Sequence, residues 1–216
     1  MKRLILYDLD GTLVDTLDDI AQAVNHLRDA DGLPALPSHE IRRSVGRGVR
    51  ELVASCLKIS DAACIEQASR QFQAYYAQHL ADHSRLYPGV QALLDYFQTR
   101  RQAVVTNKPN PHARDLLRRL GIDRYFVHVI AGDDGYPKKP DPAAVFAMMD
   151  QERVTPAETV FIGDNPIDIE TGRNAGVLTV GVAQGFSEVD DLAAASPDVL
   201  VHHCDELLAY AKAHQW

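Results

Sequence analysis

The apolar positions of this chain fall into three stretches with different periods. Leu4-Ile5-Leu6-Tyr7 is an unbroken apolar run, ended by the turn chemistry of Gly11 and Thr12, and it predicts a fully buried strand. From Thr16 to about residue 84 the period is helical and no strand is evident. Leu17, Ile20, Ala21, Val24 and Leu27 share one helix face, Thr16 and Asp19 have capping-box spacing, and Gly32 and Pro34 close that helix. A later helix over about 62–80 carries Phe72, Tyr75 and Tyr76. After Tyr87-Pro88-Gly89 the two signals alternate. Val90, Leu93, Leu94 and Phe97 mark a helix, and the run 103–105 marks a strand ending at Thr106. Leu116, Leu117 and Leu120 mark a helix that Gly121 terminates. Short runs at 127–130, 160–162, 179–182 and 199–201 predict further strands. Strands alternating with helices predict an α/β fold built on a doubly wound parallel sheet. The helical block reads as an inserted α-helical cap domain over 16–85, leaving 1–15 and 86–216 as the core. Linkers near Asp15 and Pro88 would let the cap open and close over a site.

Composition narrows the class. With 216 residues, 46% of them hydrophobic, the chain can bury a sizeable core and has little room for extended disorder. A net charge of -8 lacks the basic footprint of a general nucleic-acid binder. No apolar stretch approaches membrane-spanning length, and the N-terminal run stops at an aspartate after four residues. Cys56, Cys64 and Cys204 are odd in number and lack metal spacing, which predicts free thiols and a cytoplasmic location. The nine histidines show no ligand spacing.

The candidate chemistry begins at the end of the first strand. Asp8 and Asp10 stand where ligands bind in open α/β sheets, and strand alternation turns both to the same side with Leu9 into the packing. Two carboxylates so close repel, which a fold tolerates when a cation or a proton lies between them. Three more clusters follow. Thr106-Asn107-Lys108 succeeds the strand run 103–105, Lys139-Pro140-Asp141-Pro142 stands before a helical stretch, and Gly163-Asp164-Asn165-Pro166-Ile167-Asp168 succeeds the run 160–162. Asp164 and Asp168, four apart, predict two carboxylates on one face of a helix's opening turn. A plain acidic helix N-terminus is the competing explanation. With Asp8 they form an all-oxygen set that suits Mg²⁺. Asp8 is the candidate nucleophile, since an ionised carboxylate attacks phosphorus without needing a base. Asp10 is the candidate acid and base, a role that asks for a proton held by neighbouring negative charge. Thr106 and Asn107 offer donors for phosphoryl oxygens, and Lys139, chosen over Lys138 by the Lys-Pro-x-Pro register, offers a compact positive charge. Lys108 fits a site-facing or a surface lysine equally. Four arginines lie within 42–50; a solvated helix face accounts for Arg42 and Arg43, while Arg47, flanked by Gly46 and Gly48, is a candidate reader of a substrate carboxylate.

In this order the four motifs resemble those of the haloacid dehalogenase superfamily of phosphotransferases and phosphatases, in particular its phosphoglycolate phosphatase-like branch. The resemblance runs from the first strand nearly to the chain's end. It implies a Rossmann-like core with a cap, and a Mg²⁺-dependent phosphatase that hydrolyses a small phosphorylated metabolite through an aspartyl-phosphate on Asp8. It further implies that Asp10 is the acid and base, that its backbone carbonyl touches the metal beside Asp8, Asp164 and Asp168, and that the cap reads the part of the substrate beyond the phosphate. An aspartate at position 10 points to phosphoryl transfer and away from halide removal. The chain departs from common relatives at Asn165 and Pro166, where a serine often follows the motif aspartate. Alternatives within the superfamily are a phosphomutase of the β-phosphoglucomutase kind and a pyrophosphatase. Outside it stands a receiver-like signalling or binding module, which the early Asp8–Asp10 pair and the inserted cap argue against. The expected partners are a small metabolite and, at most, a second copy of the chain.

Overall fold

The computed structural model describes all 216 residues. Six parallel strands form one sheet: β1 (Leu4–Tyr7), β4 (Arg101–Val105), β5 (His128–Ile130), β6 (Thr159–Gly163), β7 (Leu178–Val182) and β8 (Val199–Val201), in the spatial order β5-β4-β1-β6-β7-β8. Register is set from the centre, with Leu6 opposite Ala103 on one side and Phe161 on the other. Every residue of β1 is buried because both faces of the sheet are covered. Strand alternation divides the packing: Leu4, Leu6 and Phe161 join Val145 and Met148 of α7 (Ala143–Glu152) on one face. Ile5, Tyr7 and Ile162 join, on the other face, Leu93 of α5 (Val90–Tyr96), Leu116 of α6 (His112–Arg119) and Leu207 of α10 (Cys204–Ala213). The second cluster continues without a break into the helical block, taking in Ile20, Leu52 and Phe72. α8 (Pro166–Asn174) packs on β6 and β7, and α9 (Val189–Ala194) leads into β8.

Between β1 and α5 the chain leaves the sheet. β2 (Val14–Asp15) and β3 (Arg85–Leu86) pair antiparallel, Val14 opposite Leu86, as a two-residue stem. The sequence pattern shows neither, because two residues are too few to display a period of two. Four helices hang from this stem: α1 (Leu17–Ala30), α2 (Ser38–Arg42), α3 (Val49–Leu57) and α4 (Ala62–Gln78), with α1 packed on α2 and α4, and α3 on α4. The capping box expected at Thr16 and Asp19 does not form. Thr16 is the N-cap of α1, but its hydroxyl makes no cap bond and donates to Asp10 Oδ1 at 2.8 Å. Asp19, fully buried, accepts from His83 N at 2.9 Å, Ser84 N at 2.8 Å and Ser84 Oγ at 2.6 Å, tying the start of the helical block to its end. A buried carboxylate gains more from three such donors than from a frayed helix start.

Candidate active site

The central strands deliver three of the four motifs to one rim. Asp8 follows β1, Thr106 follows β4 and Asp164 follows β6, each by one residue. Strand order turns outward in both directions from β1, so this rim is the topological switch point at the carboxyl edge of an open parallel sheet. The backbone there leaves no room for a larger residue. Gly11 has φ +85°, and a Cβ on it would stand 2.3 Å from Asp164 Oδ2.

Asp8, Asp164 and Asp168 converge, with one carboxylate oxygen from each lying within 4.8 Å of the others, and all three are buried. The loop before α7 inserts Lys139 among them, its Nζ 2.6 Å from Asp168 Oδ1 and 2.8 Å from Asp8 Oδ1. Three carboxylates against one ammonium leave an excess of two negative charges. Burial first, and then Asp168 and Asp8, pushes Asp164 well above the ordinary carboxylate range. Burial also raises Asp168, against the opposing pull of Lys139. Burial works against the charge on Lys139, yet Asp168 and Asp8 outweigh it and raise its pKa. Asp8 Oδ1 is buried and has Lys139 Nζ as its charged neighbour. A hard, all-oxygen donor set with two uncompensated charges fits a divalent cation such as Mg²⁺.

The helical face expected for Asp164 and Asp168 takes a different form. Asp164 precedes the helix, Asn165 is the N-cap of α8, and Asp168 occupies the third helical position. Asn165 Oδ1 accepts from Ile167 N at 3.1 Å while Asp168 Oδ2 accepts from Asn165 N at 3.1 Å. The departure at Asn165 and Pro166 is thus a well-formed cap with proline in the first turn. Asp164 is held by Thr12 Oγ1 at 2.7 Å and Phe186 N at 2.7 Å. In the sequence Thr12 reads only as turn chemistry and the loop at 184–187 gives no signal, since both act here by converging on a distant residue.

Asp10 contributes no carboxylate to this cluster. Its Oδ1 accepts from Thr16 Oγ1 and, at 2.9 Å, from Lys108 Nζ, which also donates to the Tyr76 hydroxyl at 2.8 Å. The neighbour expected to crowd Asp10 with negative charge is therefore a buried lysine. Burial opposes the charge on Lys108, but Asp10 and then Tyr76 raise its pKa. Tyr76 belongs to α4, so this ion pair joins the core to the helical block; burial pushes its hydroxyl up to about 12. Thr106 is buried and accepts from Lys108 N at 3.2 Å, which leaves its own proton free to donate. Asn107 is different: its amide nitrogen donates to Gly46 O at 2.9 Å and Lys139 O at 3.3 Å, and its Oδ1 accepts from Lys139 N at 3.0 Å. Both amide protons are committed, so the expectation that Asn107 donates to phosphoryl oxygens is corrected to a brace that holds Lys139 and the loop before α3. Lys139 is buried and Lys138 exposed, in line with the Lys-Pro-x-Pro register.

The arginines exchange roles. Arg47, expected to read the substrate, is exposed on the wall of an open cleft with Arg43, Glu51 and Glu170, outside the cavity that contains Asp8. The flanking glycines turn the chain so that its side chain leaves the site. Arg42, expected on a solvated face, donates to Phe186 O at 2.6 Å and Gly185 O at 2.8 Å, clasping the loop that holds Asp164. The Asp8 cavity itself lies between sheet rim and helical block, and leaves about 50 Å³ open to the centre of a water molecule. Asp8, Asp10, Thr106 and Lys108 line it from the core, and Val49, Leu52 and Tyr76 from the helices.

A parallel open sheet with buried carboxylates and lysines gathered at its switch point defines an α/β enzyme of the acid-cluster kind. The chain belongs to the family of haloacid dehalogenase-like hydrolases, whose model matches residues 5–182. It is 33% identical over 215 residues to the phosphoglycolate phosphatase of Vibrio parahaemolyticus, covering 95% of this chain and 94% of that one. It is 32% identical over 217 residues to the phosphoglycolate phosphatase of Haemophilus influenzae, covering 96% and 97%. Among solved structures, a predicted phosphoglycolate phosphatase from Haemophilus somnus superposes with a TM-score of 0.90 at 30% identity, over 97% of this chain and 98% of that one. No helix is long and apolar enough to cross a membrane, and Cys56, Cys64 and Cys204 are free thiols.

Proposed function

We propose that this protein is a Mg²⁺-dependent phosphoric monoester hydrolase acting on a small phosphorylated metabolite of the phosphoglycolate kind. The observation that carries the reading is the convergence of Asp8, Asp164 and Asp168, with Lys139 paired to Asp8 and Asp168 as the single cation among three carboxylates. Asp8, Asp164 and Asp168, with the backbone carbonyl of Asp10, would hold the cation. When bound, Mg²⁺ would screen the carboxylates and draw charge from the phosphoryl oxygens.

The chain's own residues account for the remaining steps. A carboxylate oxygen of Asp8 attacks phosphorus, the bond from phosphorus to the ester oxygen breaks, and an aspartyl-phosphate forms on Asp8. Asp10 gives its proton to the departing alkoxide and is left as the carboxylate that Lys108 and Thr16 meet in this structure. In the second half Asp10 takes a proton from water, the resulting oxygen attacks phosphorus, and the bond to Asp8 breaks to release phosphate. Thr106 donates its hydroxyl proton to a phosphoryl oxygen, and Lys139 offsets the charge on Asp8. The helical block over 16–85 acts as a cap that closes over the 1–15 and 86–216 core, with the Lys108–Tyr76 bond and the Arg42 clasp as its closed-state contacts. The names of the relatives favour a phosphatase over a mutase or a pyrophosphatase. A phosphate-release screen of the purified protein with Mg²⁺ against phosphorylated acids, sugar phosphates and pyrophosphate tests the reading. A phosphorylated acid should lead the panel; no release from any monoester would overturn it.

A further inference from the structure

The cavity beside Asp8 contains a group that the chemistry above does not use. His112, at the start of α6, is 3% exposed, and neither of its ring nitrogens has a hydrogen-bond partner. It lines the cavity and meets Tyr76 edge-on, with ring centroids 5.6 Å apart and planes at 79°. Buried polar side chains are almost always paired, so a fully orphaned imidazole in the wall of a cavity points to a partner that arrives from outside. Burial, and then Lys108, lowers its pKa, which keeps the ring neutral with one donor and one acceptor.

The rest of the wall says what that partner is. α3 begins here: Gly48 is its N-cap with no side-chain bond to the first amides, and Gly48 and Val49 both line the cavity. An uncapped helix start with free N–H groups favours an anion. Lys108 lines the wall with its charge already met by Asp10, and the Tyr76 hydroxyl, which accepts from Lys108, keeps its own proton to donate. Beyond Asp8 and Asp10 no acidic residue lines the cavity. A water needs roughly 10–15 Å³ by this measure, so the space holds about three to five waters. The part of a two-carbon acid beyond its phosphate is of that size.

We propose that this cavity is the subsite for the carboxylate of a short phosphorylated acid, and that His112 selects that substrate by donating a ring N–H to the carboxylate while the first amides of α3 face its other oxygen. The proposal rests on the phosphatase reading above and assigns to the core helix α6 the discrimination first sought at Arg47.

The test compares kcat/KM for phosphoglycolate and for ethyl phosphate, which has the same two carbons and no carboxylate, with Mg²⁺ present. Wild type should prefer phosphoglycolate, and His112→Phe should reduce that preference by about tenfold to a hundredfold, the loss of a charge-assisted contact. His112→Gln, which keeps a donor of similar reach, should recover part of it. Equal losses on both esters, or an unchanged ratio, would overturn the proposal while leaving the phosphatase reading intact. A wild type that hydrolyses neither these esters nor p-nitrophenyl phosphate would overturn both. If the variants do not fold, the ring-nitrogen NMR signals of His112 in Asp8→Asn protein decide. Phosphoglycolate with Mg²⁺ should shift them and ethyl phosphate should not; equal responses would overturn the subsite.

Discussion

Two buried lysines stand against carboxylates at the same sheet rim, and their surroundings differ in charge and in origin. Lys139 meets Asp8 and Asp168 with Asp164 beside them, all from the α/β core, so one cation faces three anions. Lys108 meets Asp10 alone and shares its remaining proton with Tyr76 from the helical block. The first group carries excess negative charge, and on the proposed reading a metal ion and a phosphoryl group would complete it. The second is already balanced and joins the helical block to the core; on the proposed reading it also positions Asp10 as the proton carrier. A buried ion pair is weak evidence for stability in itself. What separates these two is the uncompensated charge.

The comparison breaks most visibly at Asp8. Asp8→Asn removes the attacking oxygen and should lower phosphate release by roughly three orders of magnitude or more. Near-normal turnover in a steady-state assay would contradict the covalent chemistry. Next come the lysines themselves. Lys139→Ala strands three buried carboxylates and should cost about 3–5 kcal/mol, a fall in Tm on the order of 10 °C. Lys108→Ala should cost less, because Asp10 retains Thr16 and its side chain is 13% exposed. Thermal melts that rank the two in the other order would dissolve the distinction drawn between them.

Acidity sharpens the same contrast. Asp164 and Asp168 titrate above their unfolded value of 3.8. Between that value and neutrality the folded metal-free protein therefore holds protons that the unfolded chain has released, and its stability should fall as pH rises through this window. Mg²⁺ held by the deprotonated cluster, as proposed, should offset the loss, by about 2.7 kcal/mol at a hundredfold excess over Kd. Denaturant titrations across pH, with metal and with chelator, would show this; a metal-free protein that grows more stable toward neutral pH would contradict it. The smallest effects concern the arginines. Arg42→Ala opens the clasp on the loop at 185–187 and should raise KM several-fold, since charged hydrogen bonds are worth about 1.5–3 kcal/mol before solvent exposure reduces them. Arg47→Ala should stay within about threefold of wild type on any substrate, as for other exposed side chains. A reversed ranking would return Arg47 to the site.

How much of this was legible in the sequence follows from what sequence patterns can carry. Each core strand announced itself as a short apolar run, and Asp8, Thr106 and Asp164 were visible because each is the first polar residue after such a run. The stem strands β2 and β3 were not, being two residues long. Residues defined by a partner far along the chain were misread or missed. Thr16 and Asp19 have a local explanation as a capping box, yet they bond Asp10 and the 83–84 turn. Asn107 has the local pattern of a phosphate donor and is a brace. His112 and Thr12 carry no motif, and only the packed structure brings them to the site. The arginines of 42–50 show the limit most clearly, because Arg42 is placed by carbonyls at 185 and 186, far along the chain, while Arg47 is exposed.

The central claim is that Asp8 carries the phosphoryl group between substrate and water. Quenching the wild-type enzyme during turnover of phosphoglycolate with Mg²⁺ and reducing it with borohydride converts an aspartyl-phosphate to homoserine, which peptide mass spectrometry can locate. The account predicts homoserine at position 8, dependent on substrate, and none at Asp10, Asp164 or Asp168. Vigorous turnover with position 8 unmodified, or with the label on another aspartate, would contradict it.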